Sequence, residues 1–324
     1  MVEITIGQME SGKRVQRLVR QMLPRVPLSG IYKMVRTGRV KLNGKRAKAD
    51  DIVSVGDVIR LYMAEADYEQ VSKQEKKFSG MDSNIEVIYE DNEMIVVNKP
   101  AGLLTHGTKD EHKETLVNQV LAYLHRKGQL ESKRFSPSPV HRLDRNTSGL
   151  VIFAKSGEII RSLSMNIHGH QIEKWYLAIV KGVVASSGEV TASLDRENGI
   201  RTVVDTEGKP STTIYTPLVS RDGTTVVQIQ LVSGRTHQIR AHFSYIGHPL
   251  LGDVKYGGGR PIKDSHEVHQ WLHAWKIKIP DGRNLVAPIP VPFREKLQQL
   301  GYNQSDIQKI DASLQVDSAT FGSN

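Results

Sequence analysis

From residue 85 onward the chain is written mainly in short extended segments. Apolar residues run unbroken or alternate through 149–155 (GLVIFAK), 174–181 (KWYLAIVK), 188–194, 211–220, 224–232 (TTVVQIQLV) and 272–279. Such runs, bounded by turn residues, read as strands. Upstream, IEVIYED and NEMIVVNKPAG give two more strands joined by an Asp-Asn turn. Helical patterns at 115–127, 157–168, 236–246 and 292–300 are too few and too irregular for a βαβ cadence, and no GxGxxG is present. A dinucleotide fold is therefore not expected. The pattern predicts an α+β fold on a mixed, mostly antiparallel central sheet.

Charge divides the chain. Residues 1–62 carry 13 Lys+Arg against 5 Asp+Glu, a net +8, whereas the remaining 262 residues carry 31 against 30. An excess so confined suggests a nucleic-acid-binding module joined to a near-neutral body. The composition, 38% hydrophobic and 24% charged, is that of a globular chain. Cysteine is absent, which excludes disulfides, Cys nucleophiles and thiolate zinc sites. No apolar run reaches membrane-spanning length, and MVEITIGQMESGKR lacks the basic-then-apolar order of a signal peptide. A cytoplasmic protein with no membrane partner is expected. The predicted divisions are a small basic domain over 1–63, a polar linker over 64–84, a large body over 85–301 and a polar tail over 302–324.

In the basic domain, Val15, Leu18, Val19, Met22 and Leu23 form the apolar stripe of a helix that Pro24 and Pro27 end. Ser29 is the expected cap of a second helix over 30–37, with Gly38 as its stop. Asn43-Gly44 between short extended arms predicts a type I′ hairpin. Arg14, Arg17, Lys33, Arg36, Arg39, Lys41, Lys45 and Arg46 are candidate phosphate contacts. The helix–helix–RTGRVKLNGKR–GDVI order resembles the alpha-L RNA-binding motif over about residues 11–62. Gly7-x4-Gly12-Lys13 imitates a P-loop, but Arg14 stands where a magnesium-holding Ser or Thr would be.

Three segments could carry chemistry. In HRLDRNTSGL (141–150), Asp144 lies between Arg142 and Arg145 on a turn at a strand entrance. From the residues alone it reads first as a structural acid bonding the turn, with a catalytic carboxylate as the other reading. In LVSGRTHQIRAHFSYIGHPLLGD (231–253), a strand gives way to a helix, and Arg235, Arg240 and His242 are candidates for RNA or carboxylate contacts. His237, His242 and His248 lack the spacing of a zinc site. In EKWYLAIVKG, Trp175 and Tyr176 take opposite faces of a strand, so one of them points inward.

These segments, with VVNKPAGLLTHG before them, occur in the order and rough spacing of the RluA-type family of RNA pseudouridine synthases, which they closely resemble over about 85–300. The basic domain matches the subgroup acting on large-subunit (23S) ribosomal RNA. Asn146 departs from the acid that many members carry there. The resemblance implies isomerisation of uridine to pseudouridine in an extruded base, without cofactor, metal or group donor. It assigns Asp144 as the catalytic acid and leaves open whether that acid attacks the sugar or removes its 2′ proton. It further implies Tyr176 as the proton acceptor beside the base and Arg235 as the guanidinium paired with the carboxylate. Arg142 would contact RNA beside the flipped base, with His141, Arg145, Arg240 and His242 as further RNA contacts and Leu143 and Leu231 lining the pocket. A monomer is expected. Transfer RNA as substrate, and a non-catalytic ribosome-assembly factor, are the alternative readings. A methyltransferase or deaminase is disfavoured by the missing methyl-donor loop, Cys and zinc ligands.

Overall fold

The computed structural model describes residues 1–7, 10–72, 83–108, 110–130, 136–197, 201–259 and 270–319. The N-terminal part comprises β1 (Val2–Thr5), α1 (Val15–Met22), α2 (Leu28–Arg36), β2 (Val40–Leu42), β3 (Lys45–Arg46), β4 (Val58–Leu61) and α3 (Glu65–Ser72). Its strands pair antiparallel in the order β1-β4-β2-β3. Val15, Leu18, Val19 and Met22 turn inward from α1, as their spacing requires, to meet Ile31 and Val35 of α2 and Val40, Ile59 and Leu61 of the sheet. Asn43 and Gly44 both have positive φ (50° and 78°), the conformation of a type I′ turn. Asn43 adds side-chain hydrogen bonds to Asp57 and to the Val58 N–H.

Two expectations for this region are corrected. Helix α2 starts at Leu28 with Pro27 flanking it, and no side chain caps it. Ser29 lies inside the first turn, because proline already fixes the entering φ and the Pro27 carbonyl accepts from Gly30 and Ile31. The 64–84 segment is not wholly linker: α3 packs Tyr68 and Val71 against the small core. Residues 73–82 of that segment lie outside the described residues.

The body comprises β5 (Glu86–Glu90), β6 (Met94–Lys99), α4 (Leu116–Arg126), β7 (Ser138–Pro139), β8 (Ser148–Ala154), α5 (Gly157–His168), β9 (Glu173–Lys181), β10 (Gly188–Thr191), β11 (Leu194–Glu197) and β12 (Arg201–Val204). It continues with β13 (Thr212–Arg221), β14 (Thr224–Leu231), α6 (Gln238–Tyr245), β15 (Leu272–Lys278), β16 (Asn284–Val286), α7 (Val291–Gln299) and α8 (Gln304–Ala319). The main sheet runs β10-β13-β14-β9-β15-β8-β6-β5, with β16 beside β15 and β7 beside β8. Every pairing in it is antiparallel except β15 with β8.

Both faces of this sheet are covered, which explains the unbroken apolar runs. Tyr176, Ala178 and Val180 join α4 and α6 on one face, while Leu177 and Ile179 meet Trp275, α7 and α8 on the other. All seven residues of β8 are buried. At the parallel junction Gly149 has φ +115°, and a Cβ there would lie 2.2 Å from the Ala274 carbonyl oxygen. Only glycine lets the two backbones approach so closely.

The expected polar tail from Tyr302 is also corrected. Within α8, Ile307, Ile310 and Leu314 are buried at helical spacing, and Tyr302 before it is 2% exposed. Arg221 pairs with Asp306 at 2.7 Å and Arg294 with Asp311 at 2.9 Å. A few apolar residues and two ion pairs thus anchor a segment whose composition alone reads as solvent-facing. Among the described residues no helix is long and apolar enough to cross a membrane.

Candidate active site

Asp144 sits in the turn that delivers the chain into β8, its carbonyl accepting from the Thr147 N–H at 3.1 Å. The turn is fastened from below. Thr105 bonds both the carbonyl and the N–H of Leu143. Lys99, fully buried at the end of β6, donates to the carbonyls of Pro100, Leu103 and Arg145 at 2.8–2.9 Å. Burial pulls the Lys99 amine down to about 7, against the charge of nearby Asp144. Three acceptors use all three hydrogens of an ammonium, one more than a neutral amine offers.

The guanidinium facing Asp144 belongs to Arg240. Its Nη1 donates to Asp144 Oδ2 at 3.0 Å, while Nε and Nη2 donate to Asp253 at 2.6 and 2.9 Å. Asp253 is 1% exposed. Burial disfavours charge on Arg240, but the bonds to Asp253 and Asp144 outweigh it and raise its pKa. The pairing expected for Arg235 is therefore made by the residue five positions on. The reason is local: β14 ends at Leu231 and α6 begins at Gln238, leaving Arg235 in the exposed connection. There its backbone N–H donates to Gln238 and its guanidinium makes one 3.4 Å contact to the Pro210 carbonyl. Arg240 falls on the buried face of α6.

His237 precedes α6 in the left-handed conformation, φ 53° and ψ 22°. Its Nε2 is 3.6 Å from Asp144 Oδ2 and its Nδ1 is 3.0 Å from the Tyr256 hydroxyl. That hydroxyl also accepts from the Thr202 N–H, which fixes the ring that holds His237 beside the carboxylate. Burial keeps the His237 pKa below the ordinary value.

Tyr176 is 6% exposed on β9 and lines the same cavity, of about 310 Å³, as Asp144, Arg142, His141, Leu143, Leu231, Lys174 and Arg235. Burial first, and the negative charge of Asp144 second, raise its phenol pKa. Trp175 takes the other face, beneath the Lys276 ammonium at 4.7 Å. The expected in–out alternation of this pair holds. Leu143 and Leu231 are 4% and 8% exposed walls.

The expected RNA contacts divide. Arg142 is exposed and lines the cavity, whereas Arg145, also exposed, is paired with Glu111. His141 is half-buried, its Nε2 accepting from the Ile152 N–H, and burial with the charge of Lys174 lowers its pKa to about 3. Arg240 and His242 are not surface groups. Arg240 is held by two aspartates, and His242, wholly buried, bonds Ser211 and Thr213. His248 bonds the Lys181 carbonyl instead, so the three histidines of this segment serve separate partners. On the small domain Arg14, Arg17, Lys33, Arg36, Arg39, Lys45 and Arg46 are exposed, and Lys41 lies 4.9 Å from the ring centre of Tyr62. Lys33, Arg36, Arg46 and Lys48 border an open hollow of about 700 Å³ beside the half-exposed Tyr32 ring. That hollow contains no acid and suits phosphate, not acid–base chemistry.

The sequence reading missed Lys99, Lys174, His237 and Asp253. Lys174 had a legible signal, lying two residues before Tyr176 and hence on its face of the strand. Asp253 had none, because its role depends on a partner 13 residues away in a different element.

Comparison with known proteins places the chain in a family. The family model described as RNA pseudouridylate synthase matches residues 93–245, and the S4 domain model matches 13–59. "Ribosomal large subunit pseudouridine synthase C" of Haemophilus influenzae is 35% identical over 292 residues, covering 87% of this chain and 88% of the relative. The protein of the same name from Vibrio parahaemolyticus is 32% identical over 305 residues, covering 92% and 94%. Among solved structures, human RNA pseudouridylate synthase domain containing 4 superposes with a TM-score of 0.55 at 25% identity, over 66% of this chain and 92% of that one. With an S4 domain ahead of a mixed α+β body and identity at this level along nearly the whole chain, the protein belongs to the RluA-type family of RNA pseudouridine synthases.

Proposed function

We propose that the protein converts uridine to pseudouridine in large-subunit ribosomal RNA, with the target base turned out of its stack and Asp144 acting at its ribose. The observation that carries this reading is the ion pair of Asp144 with Arg240 in a cavity shared with Tyr176. The names of the relatives that cover most of the chain support the choice of RNA.

In this reading the C1′–N1 bond breaks, the uracil turns, and C5 bonds to C1′. The proton lost from C5 is matched by one gained at N1, so the reaction needs no redox partner or donor. The Arg240 guanidinium holds and aims Asp144, with the His237 ring beside it. Tyr176 takes the C5 proton, directly or through water. Its raised pKa keeps the phenol protonated at rest, so it hands its own proton on as it accepts the new one. Arg142 meets RNA at the cavity mouth, Leu143 and Leu231 limit water around the freed base, and the basic face of the small domain supplies phosphate contacts and salt-dependent affinity.

Mapping pseudouridine at nucleotide resolution in total RNA, from cells with the protein, without it, and with Asp144→Asn, tests the reading. Large-subunit sites are expected to vanish in the last two. Their persistence in either, or loss confined to transfer RNA, would overturn it.

A further inference from the structure

Lys174 is the one strongly buried cation of the cavity that neither the ion-pair network nor the loop fastening uses. It stands at the start of β9 with 7% exposure and lines the cavity with Tyr176, which follows on the same strand face. It forms no hydrogen bond or ion pair with any described residue, unlike Lys99, which has three acceptors, and Arg240, which has two carboxylates. Its Nζ lies against Gly234, 3.5 Å from where a Cβ would stand. Apolar Val140, Ile167, Leu231 and Leu272 line the same cavity. Burial lowers the Lys174 pKa, with no carboxylate restoring it. An uncompensated ammonium so placed is expensive in a folded protein. Its presence there calls for an anion or strong acceptor that arrives with the substrate.

We propose that Lys174 is a catalytic residue that donates a hydrogen bond to a carbonyl oxygen of the flipped uracil and holds the negative charge that appears on the ring when the glycosidic bond breaks. This rests on the pseudouridine synthase reading above. Whether Asp144 attacks C1′ or removes the 2′ proton, the electron pair of the C1′–N1 bond departs on N1 and spreads to O2 and O4. The same pair count is restored when C5 bonds to C1′, loses its proton, and N1 gains one. A fixed cation beside O2 or O4 acts on the charge that develops in that step and far less on neutral uracil, so it favours the transition state over the bound substrate. The RNA backbone is a poorer candidate partner. Phosphates would lie at the mouth, where Arg142 and Arg235 are exposed, whereas Lys174 is 7% exposed in the same cavity.

The test uses single-turnover rates on a ribosomal RNA fragment carrying uridine, 2-thiouridine or 4-thiouridine at the target position, with saturating full-length enzyme. Sulfur is a weak acceptor, so one thio substitution should slow the wild type while the other does not. Lys174→Met should lower the rate on uridine by roughly 10- to 150-fold, the range for losing a charged hydrogen bond, and should be indifferent to the sensitive thio substitution. Lys174→Arg should recover part of the rate. Removing an unpaired buried charge should leave the melting temperature of Lys174→Met unchanged or raise it, whereas a lysine of purely structural use would lower it. A Lys174→Met rate within threefold of wild type, a drop in rate that follows a drop in melting temperature, or a wild type insensitive to both thio substitutions would each overturn the assignment. The last holds even if the variant fails to fold. A wild type that forms no pseudouridine from plain uridine would instead overturn the reading on which this assignment rests.

Discussion

Arg240→Lys is the most informative single substitution, because it keeps the charge and removes the geometry. The guanidinium reaches two carboxylates at once, with one bond to Asp144 and two to Asp253. An ammonium is a compact charge that cannot span both in that arrangement. Asp253, 1% exposed, has the greater need of a partner, since a buried unpaired carboxylate costs about 3–5 kcal/mol. The lysine should therefore settle on Asp253 and release Asp144. Losing one charge-assisted hydrogen bond costs about 1.5–3 kcal/mol. If that bond serves only to aim the carboxylate in the transition state, the single-turnover rate should fall about 10- to 150-fold. The assay is pseudouridine formation with enzyme in saturating excess over RNA, which separates chemistry from binding. A melting curve confirms the fold. The control is Arg235→Gln, since Arg235 is exposed and makes only a 3.4 Å contact to a carbonyl. It should change affinity while leaving the rate within threefold. A slow Arg235→Gln beside a fast Arg240→Lys would refute the assignment and return the role to the residue the sequence pattern favours.

Other outcomes follow from the packing and the charges. Gly149→Ala drives a methyl into the Ala274 backbone; a loss of more than about 3 kcal/mol in denaturant unfolding is expected, and a loss below 1 would show that the β8–β15 pair can separate cheaply. Glu90 pays a burial cost but accepts from Lys127, Lys155 and Tyr123, which brings its pKa from 4.5 to about 2. A depressed carboxylate stabilises the fold above its unfolded pKa, so about 2–3 kcal/mol should be lost as pH falls from about 5 to about 2. In Glu90→Gln that acid-dependent loss should shrink; an unchanged pH profile would remove Glu90 from the account. Replacing Lys33, Arg36 and Arg46 together by Gln should reduce the salt slope of RNA binding by about 2–3, with the single-turnover rate at saturation kept; an unaltered slope would place the RNA elsewhere.

How far the sequence could be read depended on whether a role was local. The strands at 149–155 and 174–181 were legible because a sheet covered on both faces demands apolar residues at successive positions. The Asn43-Gly44 turn was legible because few dipeptides accept two positive φ values. Asp144 and Tyr176 entered through family resemblance, since in isolation an acid on a turn and an aromatic on a strand have commoner uses. Arg235 too was assigned through the resemblance; from the residues it and Arg240 stood as equal candidates in one basic run, and the helix start at Gln238 decides which of them turns inward. His242 was misread for the same reason. The 302–319 segment was misread because Ile307, Ile310 and Leu314 are sparse among polar neighbours, so composition outweighed their spacing.

The order β9-β15-β8 bears on how the enzyme comes to life during synthesis. Tyr176 rides on β9 and Asp144 stands at the entrance to β8, yet these strands do not touch; β15, made about a hundred residues after β9, lies between them. A nascent chain that has made β8 and β9 still lacks the strand that joins them, and the cavity wall at Leu272, until Leu272–Lys278 is in place. The small basic domain closes its own sheet within the first 61 residues. That sheet does not wait for the body, whereas the cavity is complete only once β15 lies between β8 and β9.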